Sequence, residues 1–275
     1  MYAQEVCLFG DSIARGVVLD AQDAYKPIKE SFASLAAAEL GIALINKARF
    51  GCTITKGREI IEHYLNRDDV AEDGAAPANA ASGASPLLYA HADSAAKPLS
   101  SDEARRVEKA RRFAFLEFGG NDCDFRWDQI SANPRAEHLP ATTPERFFAM
   151  YGELIDKLKA KGIQPVLMTL PPLDAERYFN WFTRMGLDRR AILEWLGDVQ
   201  FIYRWHESYS SAIWEIGETY DAPVADIRKI FLEQRNYSRF LCKDGIHPNA
   251  EGHQLIKAEI IAFARQLIAQ AALNR

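Results

Sequence analysis

Three short segments far apart in the chain carry the residue types that nucleophilic acyl chemistry needs. Ser12 stands in Gly10-Asp11-Ser12, directly after the apolar run Glu5–Phe9. A serine on a tight strand-to-helix turn is exposed at the carboxyl edge of a sheet, which is the placement of a nucleophile elbow, although the local pattern is not GxSxG. The same residues would make a helix N-cap, a role that Asp and Ser both favour. Asp244-Gly245-Ile246-His247-Pro248 precedes the last helical stretch. An Asp three residues before a His can fold back onto the imidazole, fix its tautomer and stabilise the imidazolium. A turn with a capping Asp and an incidental His would read the same way. Gly119-Gly120-Asn121-Asp122 offers close backbone N–H groups and a side-chain amide, donors suited to an oxyanion hole. It would also make a plain turn. Gly51 could supply a further backbone N–H.

These residues can act together only if the fold converges them. Glu5–Phe9, Ala43–Ile45, Phe113–Phe118, Pro165–Leu170 and Ala222–Asp226 read as strands, each short, apolar and ended by Gly, Pro or a polar residue. Helical stretches lie between them. Ser31–Leu40 is Ala-rich with Gly41 at its end, and Thr53–Leu65 follows the second strand. Thr143 caps a helix with Pro144 at its first position, and Gly162 ends it. A closing helix from Asn249 to Leu273 carries Ile256, Ile260, Phe263 and Leu267 on one face. Alternation of this kind predicts a parallel sheet of about five strands covered on both faces. Ligands bind such sheets at the carboxyl ends of the strands, where Ser12, Gly51 and Asn121 all fall. Two segments stand outside the alternation: a small-residue surface excursion over 72–101 and an aromatic-rich helical insertion over 173–220. A single domain over 1–275 is expected.

Composition narrows the function classes. The 275 residues are 48% hydrophobic and 26% charged, the ordinary globular balance. Thirty-three Lys+Arg against 38 Asp+Glu leave a net charge of −5, with no global pull toward nucleic acid or anionic lipid. No apolar run approaches a membrane span, and the first residues lack a basic leader. The four cysteines lack CxxC spacing, so reduced thiols are expected. The expected compartment is the cytoplasm, without nucleic-acid or membrane partners.

Taken together, Gly10-Asp11-Ser12, Gly51, Gly119-Gly120-Asn121-Asp122 and Asp244-x-x-His247-Pro248 resemble the four sequence blocks of the SGNH/GDSL hydrolases, in the same chain order. Ile13 stands where that family often has Leu, and Asn46–Gly51 is bulkier and more basic than its second block. The resemblance implies a three-layer α/β/α sandwich with a flavodoxin-like sheet. It implies Ser12 as nucleophile, His247 as base and Asp244 as its orienting partner. The N–H groups of Ser12 and Gly51 and the side chain of Asn121 would form the oxyanion hole. No metal or other cofactor is implied. The expected reaction is hydrolysis of a small-molecule carboxylic ester. A carbohydrate or small-ester deacetylase is preferred, followed by a lysophospholipase. Acyl transfer would use the same residues, and a non-catalytic flavodoxin-like binding module is the alternative from a different class.

The segment from Tyr178 to Trp214 carries ten aromatic residues, far above the 11% aromatic content of the chain. It is read as a lid or substrate wall, a helical hairpin with its own core, or a homodimer contact. Substrate contacts are expected from Asp11, Phe125, Trp127, Tyr178 and Trp181. Cys52 and Cys123, each beside an oxyanion candidate, are expected to be small buried thiols. His253, six residues past His247, is expected on the helix surface.

Overall fold

The computed structural model describes residues 5–72 and 112–273. The excursion expected over 72–101 therefore lies, except for Glu72, outside the described residues. In chain order the elements are β1 (Glu5–Gly10), α1 (Ser12–Arg15), β2 (Val17–Leu19), β3 (Tyr25–Pro27), α2 (Phe32–Leu40), β4 (Ala43–Asn46) and α3 (Ile54–Glu72). They continue with β5 (Arg112–Glu117), α4 (Trp127–Ala132), α5 (Pro144–Ala160), β6 (Gln164–Met168), α6 (Ala175–Thr183), α7 (Arg189–Leu196) and α8 (Gln200–Thr219). The last are β7 (Val224–Ala225), α9 (Ile227–Leu232), a 3₁₀ turn (Tyr237–Phe240) and α10 (Ala250–Leu273).

Five strands form one sheet in the order β4-β1-β5-β6-β7, every neighbouring pair parallel. The chain winds outward from β1 in both directions, so the order reverses between β1 and β5. That reversal opens a crevice at the carboxyl ends of these two strands. Side-chain alternation along the strands feeds two cores. Cys7, Phe9, Ala114, Leu116 and Leu167 face α3, α5 and α8, with Tyr151, Leu154 and Ile213 fully buried among them. Leu8, Val166 and Met168 face the opposite layer, where α2, α9 and α10 supply Phe32, Phe231 and Ile256. This is an α/β/α sandwich.

The insertion divides in two. α6 and α7, with Trp127 and Ile130 of α4, close a third small core around Phe179, Ile192 and Leu196. α8 begins in that core at Ile202 but ends in the main one at Ile213 and Ile216, so it also serves as the layer helix between β6 and β7. The aromatic surplus was thus drawn from two packing environments.

One element has no counterpart in the strand expectations. β2 and β3 pair antiparallel as a hairpin outside the main sheet. Its tip is shaped by Asp20, whose carboxylate accepts from the N–H groups of Gln22 and Ala24, and by Asp23 at φ 59. His253 also departs from expectation: it is fully buried, stacked on Phe32 with ring centroids 5.9 Å apart. It lies three residues before Ile256 and so shares the apolar face that α10 turns toward α2. Counting from His247 across a non-helical turn had assigned it to the wrong face.

Candidate active site

Ser12 opens α1 immediately beyond β1. The turn is tight enough that a Cβ on Gly10 would sit 2.6 Å from the Glu117 carbonyl oxygen and 2.7 Å from Ala14 Cβ, so only glycine fits there. Asp11 is the N-cap, its Oδ1 accepting from Ile13 N–H at 2.8 Å. The cap role falls to Asp11, and the Ser12 hydroxyl is left free to point elsewhere. It reaches His247, whose Nε2 is 2.9 Å from Ser12 Oγ.

His247 lies in the loop before α10, joined across the loop by its carbonyl, which accepts from Cys242 N–H at 2.8 Å. Its Nδ1 is 2.6 Å from Asp244 Oδ2. Asp244 is fully buried, and its Oδ1 accepts from the N–H groups of Ile246 and His247. Burial alone would raise this carboxyl. The His247 ring, by hydrogen bond and charge, and the two backbone donors outweigh burial and hold it below the ordinary aspartate value. The carboxylate can only accept, so Nδ1 carries the proton and Nε2 accepts from the serine hydroxyl. Asp244 is therefore both the capping Asp of the turn and the partner of the ring.

Asn121 follows β5, and its Nδ2 donates to Asp11 Oδ2 at 2.8 Å. One N–H of the amide is used there and one remains. Ser12 N–H opens a helix and has no intrahelical acceptor. Gly51 sits in the turn after β4 at φ 66, a conformation that suits glycine. Asp122, next to Asn121, reaches the same turn region. Its carboxylate accepts from Ile54 N–H at 3.0 Å and from Thr142 Oγ at 2.7 Å, so it ties the loop after β5 to the start of α3. Burial raises Asp122 to about 6.

A cavity of ≈ 220 Å³ opens beside these groups. Asp11, Ser12, Asn121 and His247 border it, and so do three of the expected contact residues, Phe125, Trp127 and Tyr178. Asp124 also borders it, accepting from Trp127 Nε1 at 2.9 Å and from Tyr178 Oη at 3.0 Å. Burial lifts this carboxyl to about 6 despite both donors. Gly51 and Trp181 are not among the bordering residues. Asp11 borders the cavity, but its two oxygens are engaged by Ile13 and Asn121, which makes it a support and not a free contact. Trp181 stands behind Tyr25, donating from Nε1 to Tyr25 Oη at 2.9 Å.

Tyr25 and Phe50 were not anticipated. Their rings lie 5.0 and 6.1 Å from the His247 ring, Phe50 nearly parallel to it, and both border the cavity. Tyr25 is carried by the β2–β3 hairpin. The run Val17-Val18-Leu19 with an Asp-rich turn after it is the signal that could have revealed that hairpin. Cys52 and Cys123 are buried, and burial pushes both thiols up, Cys52 to about 11. Among the described residues no group of His, Cys, Asp and Glu is placed to hold a metal ion. No helix there is long and apolar enough to cross a membrane.

A doubly wound parallel sheet with a serine, an imidazole and a carboxylate in one hydrogen-bonded row at its switch point defines a class, the α/β hydrolytic enzymes of the SGNH type. The chain belongs to the GDSL-like Lipase/Acylhydrolase family, whose model matches residues 8–255, a family of hydrolases acting on ester bonds. Solved structures share the fold at low identity. A lipase/acylhydrolase from Enterococcus faecalis is 20% identical, with 94% of each chain covered and a TM-score of 0.51. A variant of Axe2, an acetyl xylan esterase from Geobacillus stearothermophilus, is 15% identical, with 96% and 95% covered and a TM-score of 0.55. TesA is 15% identical, with 96% and 99% covered and a TM-score of 0.52. An uncharacterized lipoprotein of Bacillus subtilis, YqeF, is 25% identical over 130 residues, 46% of this chain; the match spans 47% of that relative, about half its length.

Proposed function

We propose that this protein is a serine esterase that cleaves small carboxylic esters through an acyl-enzyme on Ser12. The observation that carries the reading is the row Asp244–His247–Ser12, with 2.6 Å and 2.9 Å between successive partners. Ser12 Oγ attacks the carbonyl carbon while His247 Nε2 takes its proton, and the imidazolium gives that proton to the leaving alkoxide. Asp244 stabilises the imidazolium without accepting its proton. Negative charge on the carbonyl oxygen is met by the N–H group of Ser12 and the spare N–H of Asn121, both at the cavity, while Gly51, which does not border it, is assigned only by family resemblance. Water, activated by the same imidazole, then releases the acid.

Cavity size supports a small substrate. Its ≈ 220 Å³ lies below the ~300–1,000 Å³ common for drug-sized ligands. An acetyl or similarly short acyl group on a compact alcohol suits this space better than a long acyl chain. The fold shared with an acetyl xylan esterase agrees with a deacetylase reading. The test is a panel of nitrophenyl esters from acetate to long chains beside acetylated sugars, together with labelling by a fluorophosphonate probe. Turnover confined to short esters, with labelling abolished in Ser12→Ala, is expected. A protein that takes up no probe and cleaves no ester would overturn the proposal. Adding alcohol acceptors to the same assay separates hydrolysis from acyl transfer.

A further inference from the structure

One ring nitrogen on the cavity wall, Nε2 of His206, has no acceptor among the described residues. His206 of α8 borders the cavity one residue past Trp205 and is only 7% exposed. Its Nδ1 faces Nη1 of Arg228 at 3.5 Å. Arg228 is itself buried. It donates to the Leu170 carbonyl at 3.3 Å, pairs with Glu207 and lies over the Tyr203 ring at 5.0 Å. A guanidinium has donors only and does not give up its proton in proteins. Nδ1 must therefore accept, and the proton of the ring sits on Nε2. Burial, with the Arg228 charge behind it, lowers the imidazole to about 3, which keeps it neutral in ordinary buffers. Nε2 meets no acceptor among the described residues, yet it is not sealed from solvent as His253 Nε2 is. His206 is among the residues that border the cavity.

The surroundings say what such a donor would meet. Phe125 and Trp205 border the same space, and Asp124 keeps acceptor capacity beyond its bonds from Trp127 and Tyr178. Aromatic walls with a few aimed donors and acceptors fit a ring that has apolar faces and hydroxyl edges. We propose that His206 is a specificity-determining residue, donating its Nε2–H to a hydroxyl or ring oxygen of the substrate and thereby selecting esters of polyhydroxylated alcohols, such as carbohydrates, over hydrocarbon esters of equal size. The inference rests on the Ser12 esterase reading and adds a substrate class to it. A hydrocarbon in this position strips water from the donor and returns nothing, which is the source of discrimination.

The experiment compares glucose monoacetate with cyclohexyl acetate, which share the acyl group and ring size. The wild-type enzyme is expected to favour glucose monoacetate. His206→Phe should lower kcat/KM for it by about 10–100-fold while changing cyclohexyl acetate by less than about 3-fold. His206→Gln, which keeps an N–H donor, should recover part of the loss. If Phe prevents folding, as thermal unfolding would reveal, His206→Leu carries the same comparison. Equal losses on both substrates would mark a structural role and overturn the inference, as would a wild-type enzyme with no preference between them. Loss of both turnovers together with failure of wild-type Ser12 to take up a fluorophosphonate would instead overturn the esterase reading itself.

Discussion

Asp11 Oδ2 accepts from Asn121 Nδ2 at 2.8 Å, so the residue before the serine holds the amide supplied by the loop after β5. The contact joins the two strands that flank the switch point and aims the second N–H of the amide. Asn121→Ala removes that donor and should lower kcat by ~10²–10³ with the fold intact. Asp11→Asn keeps the size but sets one amide against another, and should lower kcat by about 10–100-fold with KM little changed. Steady-state kinetics on a short nitrophenyl ester decide this. An Asp11→Asn enzyme that raised KM alone would place Asp11 in substrate binding and not behind Asn121.

Ser12 and Asp244 should separate cleanly. Ser12→Ala should lose on the order of 10⁴–10⁶ in kcat and all probe labelling. Asp244→Asn leaves Ser12 in place but favours the wrong tautomer, with loss of about 10³–10⁴ and slow residual labelling. Because Asp244 is held below its ordinary value, it stays ionised from pH 5 to 8. The Asn variant should therefore show a loss of similar size across that range. A loss confined to one end of the range would count against this assignment.

Glu117 ends β5 behind the serine turn, where Oε2 accepts from the N–H groups of Asp11 and Ala14 at 3.3 Å. It is 1% exposed, and burial first, then the charge and hydrogen bond of Asp11, raise it well above the ordinary glutamate value. Both causes favour its protonated form. Glu117→Gln keeps an uncharged acceptor for the two backbone N–H groups, so kcat should stay within about 3-fold of wild type and the melting temperature should change little. Glu117→Leu strands two buried N–H groups and should cost about 2–4 kcal/mol in urea unfolding. If Gln proved as costly as Leu, the group would be acting as an anion.

The sheet was legible because its strands are short apolar runs ended by glycine, proline or a polar residue, with Ser12 and Asn121 just past two of those ends, and His247 was legible from Asp244 three residues before it, ahead of the last helix. The short β2–β3 hairpin was not, since three-residue strands with exposed Tyr25 and Pro27 carry no burial pattern. Tyr25 and Phe50 thus escaped notice, though they flank the imidazole. Asp11 showed its residue type but not its partner: one carboxylate beside a serine can cap, bind or position, and only the 110-residue contact with Asn121 decides. His206 was hidden for the same reason, because its meaning depends on Arg228, a neighbour from another element.

Asp124 provides a test of pH dependence. Its folded value of about 6 stands above the ordinary 3.8, with burial as the cause. Between these values the native state binds more protons than the unfolded chain, so this group's contribution to stability declines as pH rises from about 4 to 6. Asp124→Asn preserves the contacts with Trp127 and Tyr178 and removes the titration. The melting temperature of the variant, relative to wild type, should therefore rise between pH 4.5 and 7, by an amount equivalent to ~1–3 kcal/mol. A relative melting temperature that fell over the same interval would mean the carboxylate is stabilised in the folded state.

Tyr25 and Trp181 should differ in the size of their effect on acyl preference. Tyr25 borders the cavity beside His247, whereas Trp181 touches Tyr25 and not the cavity. Tyr25→Ala should open space next to the imidazole and raise the butyrate-to-acetate ratio of kcat/KM by about 10-fold, the scale of a small change in a hydrophobic pocket. Trp181→Phe keeps the ring but removes the donor to Tyr25 Oη, so it acts only by loosening Tyr25 and should move the ratio in the same direction by less than about 3-fold. In the double variant the Trp181 change should add almost nothing, since its effect runs through a ring no longer there. An additive double variant would show that Trp181 meets the substrate itself.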